Sequence, residues 1–173
     1  TVTVIATDAA GNTSITETVV VDASIPVAPA INSVIDNVPA GSTSVANGGF
    51  SNDPTLALAG TGEALATITV YDGTTRIGTT TADATGNWSL TTAALAAGAH
   101  SFTATSTDAT GNVGGPSPIF AVTTDYTAPL APAVTASDGT TLSGTAEAGT
   151  TVQIDTTGDG SPDTTAPVVE VRR

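Results

Sequence analysis

The hydrophobic positions of this chain fall in short runs that alternate with polar residues and are separated by Gly, Asn, Asp or Pro. Residues 67–71 (TITVY) alternate, and so do residues 102–105 (FTAT), with their threonines on one face. This pattern is typical of half-buried β-strands. The pair Asp72-Gly73, which follows the first run, predicts a β-hairpin. We therefore expect an all-β protein.

The middle of the chain contains seven such runs within about 100 residues, a number typical of an antiparallel β-sandwich. Two stretches between them do not fit a strand. Residues 37–52 are rich in Gly, Ser and Asn and predict a loop, and residues 91–97, rich in Ala and Leu, predict a single helical turn. The predicted strands span about residues 28–35, 54–60, 66–72, 75–82, 87–92, 99–107 and 117–124.

The chain repeats itself with a period of about 100 residues. TVTVIATDAAGN at residues 1–12 matches SFTATSTDATGN at residues 101–112. DASIPVAPAI from Asp22 matches DYTAPLAPAV from Asp125, and three extra residues lie near residues 114–117 of the second copy. LAGTGEALATITV from Leu58 also matches LSGTAEAGTTVQI from Leu142.

The repeat predicts three segments. Residues 1–22 would be the C-terminal strands of a preceding unit, residues 23–125 a complete unit, and residues 126–173 the N-terminal part of a following unit. The first residue is Thr and no export leader follows it, so we expect an internal piece of a longer protein. No apolar stretch approaches the roughly 20 residues that span a bilayer.

Four motifs carry a resemblance to a known family: ATDAAGNTS, the D-x-x-x-P-x-A-P junction, GT-x-E-A and TADATGNWS. Together they resemble the bacterial immunoglobulin-like repeats of large biofilm-associated and type I-secreted surface adhesins, over nearly all of residues 1–155. The resemblance implies tandem immunoglobulin-like β-sandwiches, structural Ca²⁺ at the junctions between them and an extracellular location at the bacterial surface. It also implies a stalk or spacer role in cell adhesion or biofilm formation, with the neighbouring repeats of the same chain as partners.

The charge balance excludes several other classes. With 3 Lys and Arg against 16 Asp and Glu, the formal net charge is −13. Binding to nucleic acids requires cations that neutralise phosphates, and binding to an anionic membrane surface requires a basic patch. The absence of Cys excludes disulfides and Cys-based zinc sites.

Topology predicts where the acidic residues meet. Alternate loops of a sandwich lie at the same end, so four carboxylates should converge there with Asn87 and Asn112 nearby: Asp22, Glu63, Asp83 and Asp108. Carboxylates in close contact repel by about 1–4 kcal/mol per pair. Ca²⁺, which takes six to eight oxygen ligands, would offset this repulsion. The alternative is that each Asp-x-x-Gly-Asn motif is a plain turn whose Asp caps its own backbone.

Further acidic residues are predicted ligands at other places. Asp125 and Glu147 should begin the next junction, whereas Asp8 and Asn12 repeat the motif without their partner loops, so we expect no full site there. In DTTGDGSPD, the ligands Asp155, Asp159 and Asp163 have the spacing of a calcium loop, although Ala166 replaces its final Glu; the alternative is a long hairpin turn. The D-x-x-x-P pattern at Asp163 is either a truncated repeat or a chance match inside that hairpin.

The remaining candidate residues point away from catalysis. His100 is the only histidine, and we expect it to be a surface or packed residue; Trp88 is expected to fill the core. The carboxylates map to a domain end, whereas glycosidase acids line a cleft. We therefore expect no enzyme. A carbohydrate- or protein-binding module is the alternative function, which an aromatic content of 3% disfavours.

Overall fold

The computed structural model describes residues 1–38, 43–137 and 142–167. Within these ranges the chain forms strands and turns and no helix, so the predicted all-β class is confirmed. In particular, the described part has no helix long and apolar enough to cross a membrane. The chain divides into two compact units, Thr1–Tyr126 and Thr127–Arg173.

The first unit contains eleven strands in its described residues, numbered here in chain order. They are β1 (Val2–Val4), β2 (Glu17–Val19), β3 (Ala30–Asp36), β4 (Thr43–Val45), β5 (Gly49–Ser51), β6 (Ala57–Thr61), β7 (Thr67–Asp72), β8 (Thr75–Thr81), β9 (Asn87–Thr91), β10 (Gly98–Thr107) and β11 (Phe120–Thr124). Strands β3–β11 form two sheets, in the orders β5-β11-β10-β7-β8 and β4-β3-β6-β9. All pairs in these sheets are antiparallel except β5 with β11, which is parallel.

The core lies between these two sheets. Ile68 and Val70 on β7 and Phe102 on β10 are fully buried from one side, while Leu58 on β6 and Val34 on β3 are buried from the other. The alternation that predicted the strands places these side chains inward, as a pleated strand requires. The predicted two-layer sandwich is therefore confirmed.

Trp88 on β9 belongs to this core and is 4% exposed, as expected from the sequence. Its indole ring lies over Gly60 on the neighbouring strand. A Cβ atom at position 60 would lie 2.6 Å from Trp88 Cζ2 and 1.9 Å from the Ala30 carbonyl oxygen. Glycine at position 60 therefore allows the largest core side chain to pack directly on the sheet.

Residues 37–52 were wrongly predicted to be a loop. They contain β4 and β5, while residues 39–42 of this stretch lie outside the described residues. These strands have three residues each and are bordered in the sequence by Gly, Ser and Asn, which favour turns. They form because tertiary pairing supplies hydrogen bonds: β4 pairs with β3, and β5 pairs with β11.

Residues 91–97 do not form the predicted helical turn. Thr92 donates its backbone N–H to the Leu56 carbonyl at 2.9 Å and accepts the Leu56 N–H on its hydroxyl at 3.0 Å. Leu95 donates to the Pro54 carbonyl at 2.8 Å. These bonds to a distant segment replace the local bonds of a helix.

The sandwich has two ends, which we call the N-terminal and C-terminal poles. Three loops meet at the N-terminal pole. In one sheet, Thr61 pairs with both Ala30 and Asn87. In the other sheet, Thr67 pairs with both Thr81 and Thr107. The loops are residues 62–66, 82–86 and 108–113. At the opposite C-terminal pole, Thr124 ends β11 beside Gly98 and Ser51. The segment before β3 thus joins the sandwich at one pole, and the chain leaves it at the other.

The remaining strands form two-stranded sheets. In the first unit, β1 pairs with β2. The second unit contains β12 (Ala133–Ser137) paired with β13 (Leu142–Thr145), and β14 (Thr151–Ile154) paired with β15 (Thr164–Pro167). The D-x-x-x-P pattern at Asp163 therefore leads into the second strand of a hairpin, one of the two interpretations left open by the sequence.

Candidate functional site

The three Asp-x-x-Gly-Asn motifs, which begin at Asp8, Asp83 and Asp108, form the same closed turn. In each, the Asp N–H donates to the carbonyl of the Asn, at 2.9, 2.8 and 3.1 Å respectively. The Asp Oδ1 accepts the backbone N–H of the Asn at 2.9 Å in all three. The glycines have φ values of 87°, 86° and 94°, which L side chains rarely adopt. Each motif is thus a self-capped turn, in which the Asp side chain accepts hydrogen bonds from backbone N–H groups of its own loop.

Hydrogen bonds to these carboxylates favour their charged forms. At Asp108, the Asn112 side-chain amide is the largest cause, and bonds from the Asn112 backbone and from Thr110 add to it. Together they outweigh a partial desolvation and lower the pKa of Asp108 from 3.8 to about 2. The pKa values of Asp8 and Asp83 are lowered by their own loops in the same direction.

The motif at Asp108 differs from the other two because it reaches the segment before β3. Asn112 Nδ2 donates to the Asp22 carbonyl oxygen at 3.2 Å and to Asp108 Oδ2 at 2.8 Å. By contrast, Asn87 Nδ2 donates to Thr85 Oγ1 and Asn12 Nδ2 to Asp8 Oδ2, each within its own loop. The third motif therefore ties residues 22–29, which we call the linker, to the N-terminal pole.

Two buried prolines extend this attachment. Pro26 packs against Gly114, where a Cβ atom would lie 2.4 Å from the Pro26 carbonyl oxygen. Gly114 is held in place by its N–H bond to the Ser106 carbonyl at 2.8 Å. Pro29 packs near Gly62, where a Cβ atom would lie 3.4 Å from the Pro29 Cβ. Direct contacts therefore dock the linker on the sandwich.

Sequence reasoning missed the role of Gly114. The signal available was its position within the three extra residues that distinguish the second repeat copy from the first. An insertion beside a turn adds no alternation of polar and apolar residues from which a role could be predicted. Only the contact with Pro26 in the folded protein shows what Gly114 does. The insertion provides the surface on which the linker rests.

The predicted convergence of loops at this pole is confirmed, but four carboxylates do not come together. Asp22 and Asp108 lie close enough for the Asp108 charge to raise the pKa of Asp22. Hydrogen bonds from the Ser24 hydroxyl and N–H have a larger effect in the opposite direction, so the pKa of Asp22 is lowered overall. Among the described residues, no group of three or more His, Asp and Glu side chains could hold a metal ion.

Glu63 and Asp83 both contribute backbone carbonyl groups to the hydrogen bonds of the N-terminal pole. The Glu63 carbonyl accepts the Ala66 N–H at 3.2 Å, and the Asp83 carbonyl accepts the Leu65 N–H at 3.3 Å. The Asp83 carboxylate accepts bonds from Thr85 and Asn87 of its own loop. The Asp83 carboxylate caps its own turn and Glu63 is exposed, so the loops converge without forming a cluster of carboxylates.

The predicted ligands of the second unit also form turn contacts. Asp155 Oδ1 accepts the Gly158 N–H at 2.6 Å, and its Oδ2 accepts the Gly160 N–H at 2.9 Å. Asp163 Oδ2 accepts the Thr156 N–H at 2.7 Å, and Asp159 Oδ1 accepts the Ser161 N–H at 2.8 Å. These carboxylates close the turn between β14 and β15.

Asp125 and Glu147, which were expected to begin the next junction, each form a hydrogen bond within their own unit. Asp125 donates its N–H to the Ser51 carbonyl at 2.8 Å in the first unit. Glu147 Oε2 accepts the Leu130 N–H at 3.1 Å in the second unit. The role of Asp125 and Glu147 as calcium ligands stays a prediction.

A family model described as a bacterial Ig-like domain matches residues 30–126, the span that contains β3–β11. The chain belongs to the bacterial Ig-like domain family. Domains of this family are common in bacterial surface and extracellular proteins. A search of curated proteins found no match. The boundaries predicted for the flanking segments, 1–22 and 126–173, stay a prediction.

The C-terminal pole of the Ig-like domain contains a buried polar cluster around His100. Its Nδ1 lies 2.6 Å from Asp72 Oδ2, its Nε2 lies 2.9 Å from the Ala96 carbonyl oxygen, and its ring stacks on Phe102. Thr124 Oγ1 is 3.2 Å from Nε2, but this hydroxyl donates to the Ala96 carbonyl and the residue is 1% exposed. His100 is thus packed, one of the two expected outcomes.

Two buried carboxylates at the same pole were not singled out from the sequence. Asp53 is buried, yet its pKa is lowered, because bonds from Thr55 and Asn37 outweigh the desolvation that raises it. Asp36 Oδ2 accepts the Ser51 hydroxyl at 2.7 Å and its Oδ1 accepts the Val38 N–H at 2.8 Å. These residues fasten the turns of the Ig-like domain at the C-terminal pole.

Proposed function

We propose that this chain is a spacer segment in the extracellular stalk of a bacterial surface adhesin, with a role in cell adhesion or biofilm formation. The observation that carries the proposal is the docked linker, in which Asn112, Gly114 and two buried prolines hold residues 22–29 on the domain. A linker held in this way transmits orientation from one unit to the next. The resemblance of the repeats to those of large adhesins supports the same role.

The path of the chain supports a spacer. The linker is attached at the N-terminal pole, and β11 ends at the C-terminal pole beside Gly98 and Ser51. Attachment of the preceding segment at one pole and departure of the chain at the other suit a domain that serves as a spacer. The proposed role is not catalytic, because the His100 cluster is buried and the carboxylates of the N-terminal pole serve as turn caps.

We further propose that Ca²⁺ strengthens the attachment at Asp22 and Asp108. The negative charges of these two carboxylates lie close together. Arg76 is the sole Lys or Arg among the described residues, and it lies on β8 near the residues that begin this strand at the opposite pole. The chemistry of the two carboxylates and the Asn112 amide oxygen suits Ca²⁺, which prefers oxygen ligands. When bound, the ion would supply positive charge between the two carboxylates.

Distance measurements with paired spin labels test the docked linker. The chain has no Cys, so single cysteines can be labelled specifically. The pair Ala23→Cys and Thr74→Cys joins the linker to the β7–β8 turn, and the control pair Ala93→Cys and Thr74→Cys lies within the domain. We expect equally narrow distance distributions for both pairs. A broad distribution for the linker pair alone would contradict the spacer proposal.

Thermal unfolding with and without Ca²⁺ tests the metal proposal separately. Extracellular calcium modules bind at about 10⁻⁴–10⁻³ M, so 10 mM Ca²⁺ should stabilise the protein by about 1.4–2.7 kcal/mol. Asp108→Asn should remove most of this gain, whereas Asp83→Asn, the matched change in a loop that does not contact the linker, should keep it. Equal melting in Ca²⁺ and EDTA would refute the metal proposal and leave the docked linker intact.

A further inference from the structure

Both ring nitrogens of His100, a residue that is 8% exposed, face oxygen atoms that accept hydrogen bonds. Nδ1 lies 2.6 Å from Asp72 Oδ2, and Nε2 lies 2.9 Å from the Ala96 carbonyl oxygen. A neutral imidazole carries one N–H group, whereas an imidazolium carries two. With a carboxylate at Asp72, both contacts are therefore hydrogen bonds only when His100 is protonated.

The Thr124 hydroxyl lies within reach of the same two partners. Its Oγ1 donates to the Ala96 carbonyl at 2.7 Å and lies 3.2 Å from His100 Nε2. A hydroxyl has one proton and rotates about its C–O bond, so it donates to one of these partners at a time. When His100 is protonated, the Ala96 carbonyl thus receives two donors, the ring N–H and the hydroxyl.

Loss of the proton from His100 would change all of these bonds. The charge-assisted bond to Asp72 is the shorter one and keeps the remaining proton on Nδ1. The bare Nε2 can no longer donate to Ala96, but it can accept the proton of the Thr124 hydroxyl. The departure of one proton and the rotation of one hydroxyl would therefore remove both donors from the Ala96 carbonyl.

We propose that His100 and Thr124 form a pH-dependent latch on residues 92–97, closed when His100 is protonated and open when it is neutral. Histidine side chains exchange this proton between about pH 5 and pH 8. Residues 92–97 connect β9 to β10, and the Leu95 carbonyl among them also accepts the Tyr126 hydroxyl at 3.3 Å. The latch would thus set how firmly the chain is held where it leaves β11. This regulation goes beyond the spacer role and does not depend on it.

The groups around the ring determine the direction of the pH dependence. Among the described residues, Asp72 on β7 is the one charged side chain that forms an ion pair with His100. On β10 itself, Phe102 stacks on the ring, and residues 92–97 carry no titratable side chain. After β11, Asp125 donates its N–H to the carbonyl of Ser51. Other charged side chains on the elements of this pole have hydrogen-bond partners elsewhere: Asp36, Asp53 and Arg76. Because the closed latch needs the proton of His100, the hold on residues 92–97 weakens as the pH rises.

Nitrogen NMR of the imidazole ring tests the latch directly, because the chain has one histidine. At about pH 5.5 both ring nitrogens should be protonated, and at about pH 8.5 Nδ1 should keep its proton while Nε2 has lost it. A proton on Nε2 with a bare Nδ1 at the higher pH would overturn the proposal. A ring that stays doubly protonated there would overturn it as well.

Hydrogen exchange measures the hold on residues 92–97. The Leu95 N–H, which donates to the Pro54 carbonyl at 2.8 Å, should lose protection about tenfold between these two pH values, as expected for the loss of a hydrogen bond. This comparison is made after correction for the intrinsic pH dependence of exchange. The Ala82 N–H, which donates to the Ala66 carbonyl at 3.0 Å near the N-terminal pole, is the internal control and should keep its protection.

The variant His100→Gln tests whether the histidine causes the response. Gln retains a donor and an acceptor but does not titrate, so the protection of Leu95 should become independent of pH. Thr124→Ser, which keeps the hydroxyl, should show the wild-type response, and the fluorescence of Trp88 reports whether each variant is folded. Constant protection of Leu95 in the wild type, or an equal loss in His100→Gln, would refute the latch. If His100→Gln does not fold, the ring NMR of the wild type decides by itself.

Discussion

The side-chain amide of Asn112 donates a hydrogen bond to the backbone carbonyl of Asp22 at 3.2 Å, although 90 residues separate them in the sequence. The same amide donates to Asp108 Oδ2 at 2.8 Å. One side chain therefore couples the charge state of a loop carboxylate to the attachment of the linker. This relationship links the electrostatics of the N-terminal pole to the geometry of the chain that precedes the domain.

Replacing Asn112 by Ala should raise the pKa of Asp108 from about 2 towards its usual value of 3.8, since the Asn112 side chain is the largest cause of the shift. A carboxylate with a lowered pKa in the folded state stabilises the fold fully above pH 3.8, and this contribution is lost as the pH falls through about 2. The variant should therefore lose less stability between pH 4 and pH 2. Carboxyl-carbon NMR titration measures the pKa directly.

Asn87→Ala is the matched control for this prediction. Asn87 ends the same turn motif, but its amide donates to Thr85 within the loop and not to the linker. The control should leave the pKa of Asp108 near 2. If both variants shift the pKa of Asp108 equally, the hydrogen bond from the Asn112 side chain is not the main cause of the shift.

Gly114→Ala should loosen the linker, because its new Cβ would lie 2.4 Å from the Pro26 carbonyl oxygen. The backbone must shift, at a cost of about 1–3 kcal/mol. Thermolysin should then cleave the linker faster at the exposed Ile25 and Val27. Gly115→Ala is the control, since nothing lies within 4 Å of its Cβ position, and its cleavage rate should match that of the wild type.

Gly60→Ala should destabilise the domain by about 3 kcal/mol, because the added methyl group meets the rigid Trp88 ring and the Ala30 backbone. Gly78→Ala should cost less than about 1 kcal/mol, since its nearest neighbour is the Leu90 side chain at 3.0 Å, which can adjust. Urea unfolding followed by the fluorescence of the single Trp compares the two. Equal losses of stability would show that the Trp88 contact is not responsible.

Asp72→Ala should destabilise the domain by about 1–3 kcal/mol, because it removes the acceptor for both His100 Nδ1 and the Ser101 N–H. Asp72→Asn retains an oxygen acceptor for the Ser101 N–H and should be milder. The ring N–H proton at Nδ1, observable by NMR as a strongly hydrogen-bonded signal, should disappear in Asp72→Ala. An unchanged signal would show that the contact does not persist in solution.

Much of the sandwich was predictable because local chemistry and alternation agree. The Asp72-Gly73 turn forms as predicted, with Gly73 at a φ of 56°, and Trp88 enters the core. Strands β4 and β5 were missed because they are only three residues long, are bordered by turn-forming residues and form through pairing with β3 and β11. Residues 91–97 were missed for the same reason, since their bonds to residues 54–56 outweigh the local preference.

The sequence alone determined the repeat, which is read by comparing segments, and the all-β class, which follows from local alternation. It offered the self-capped turn of each Asp-x-x-Gly-Asn motif as one of two interpretations, because the capping donors lie close by in the chain. The tertiary structure decided which of the three turns contacts the linker. Asn112 does so because β10 places its loop beside residues 22–29 and because the insertion at Gly114 leaves room for Pro26. It also decided that the Asp carboxylates close their own turns, since backbone N–H donors two to four residues away satisfy them first.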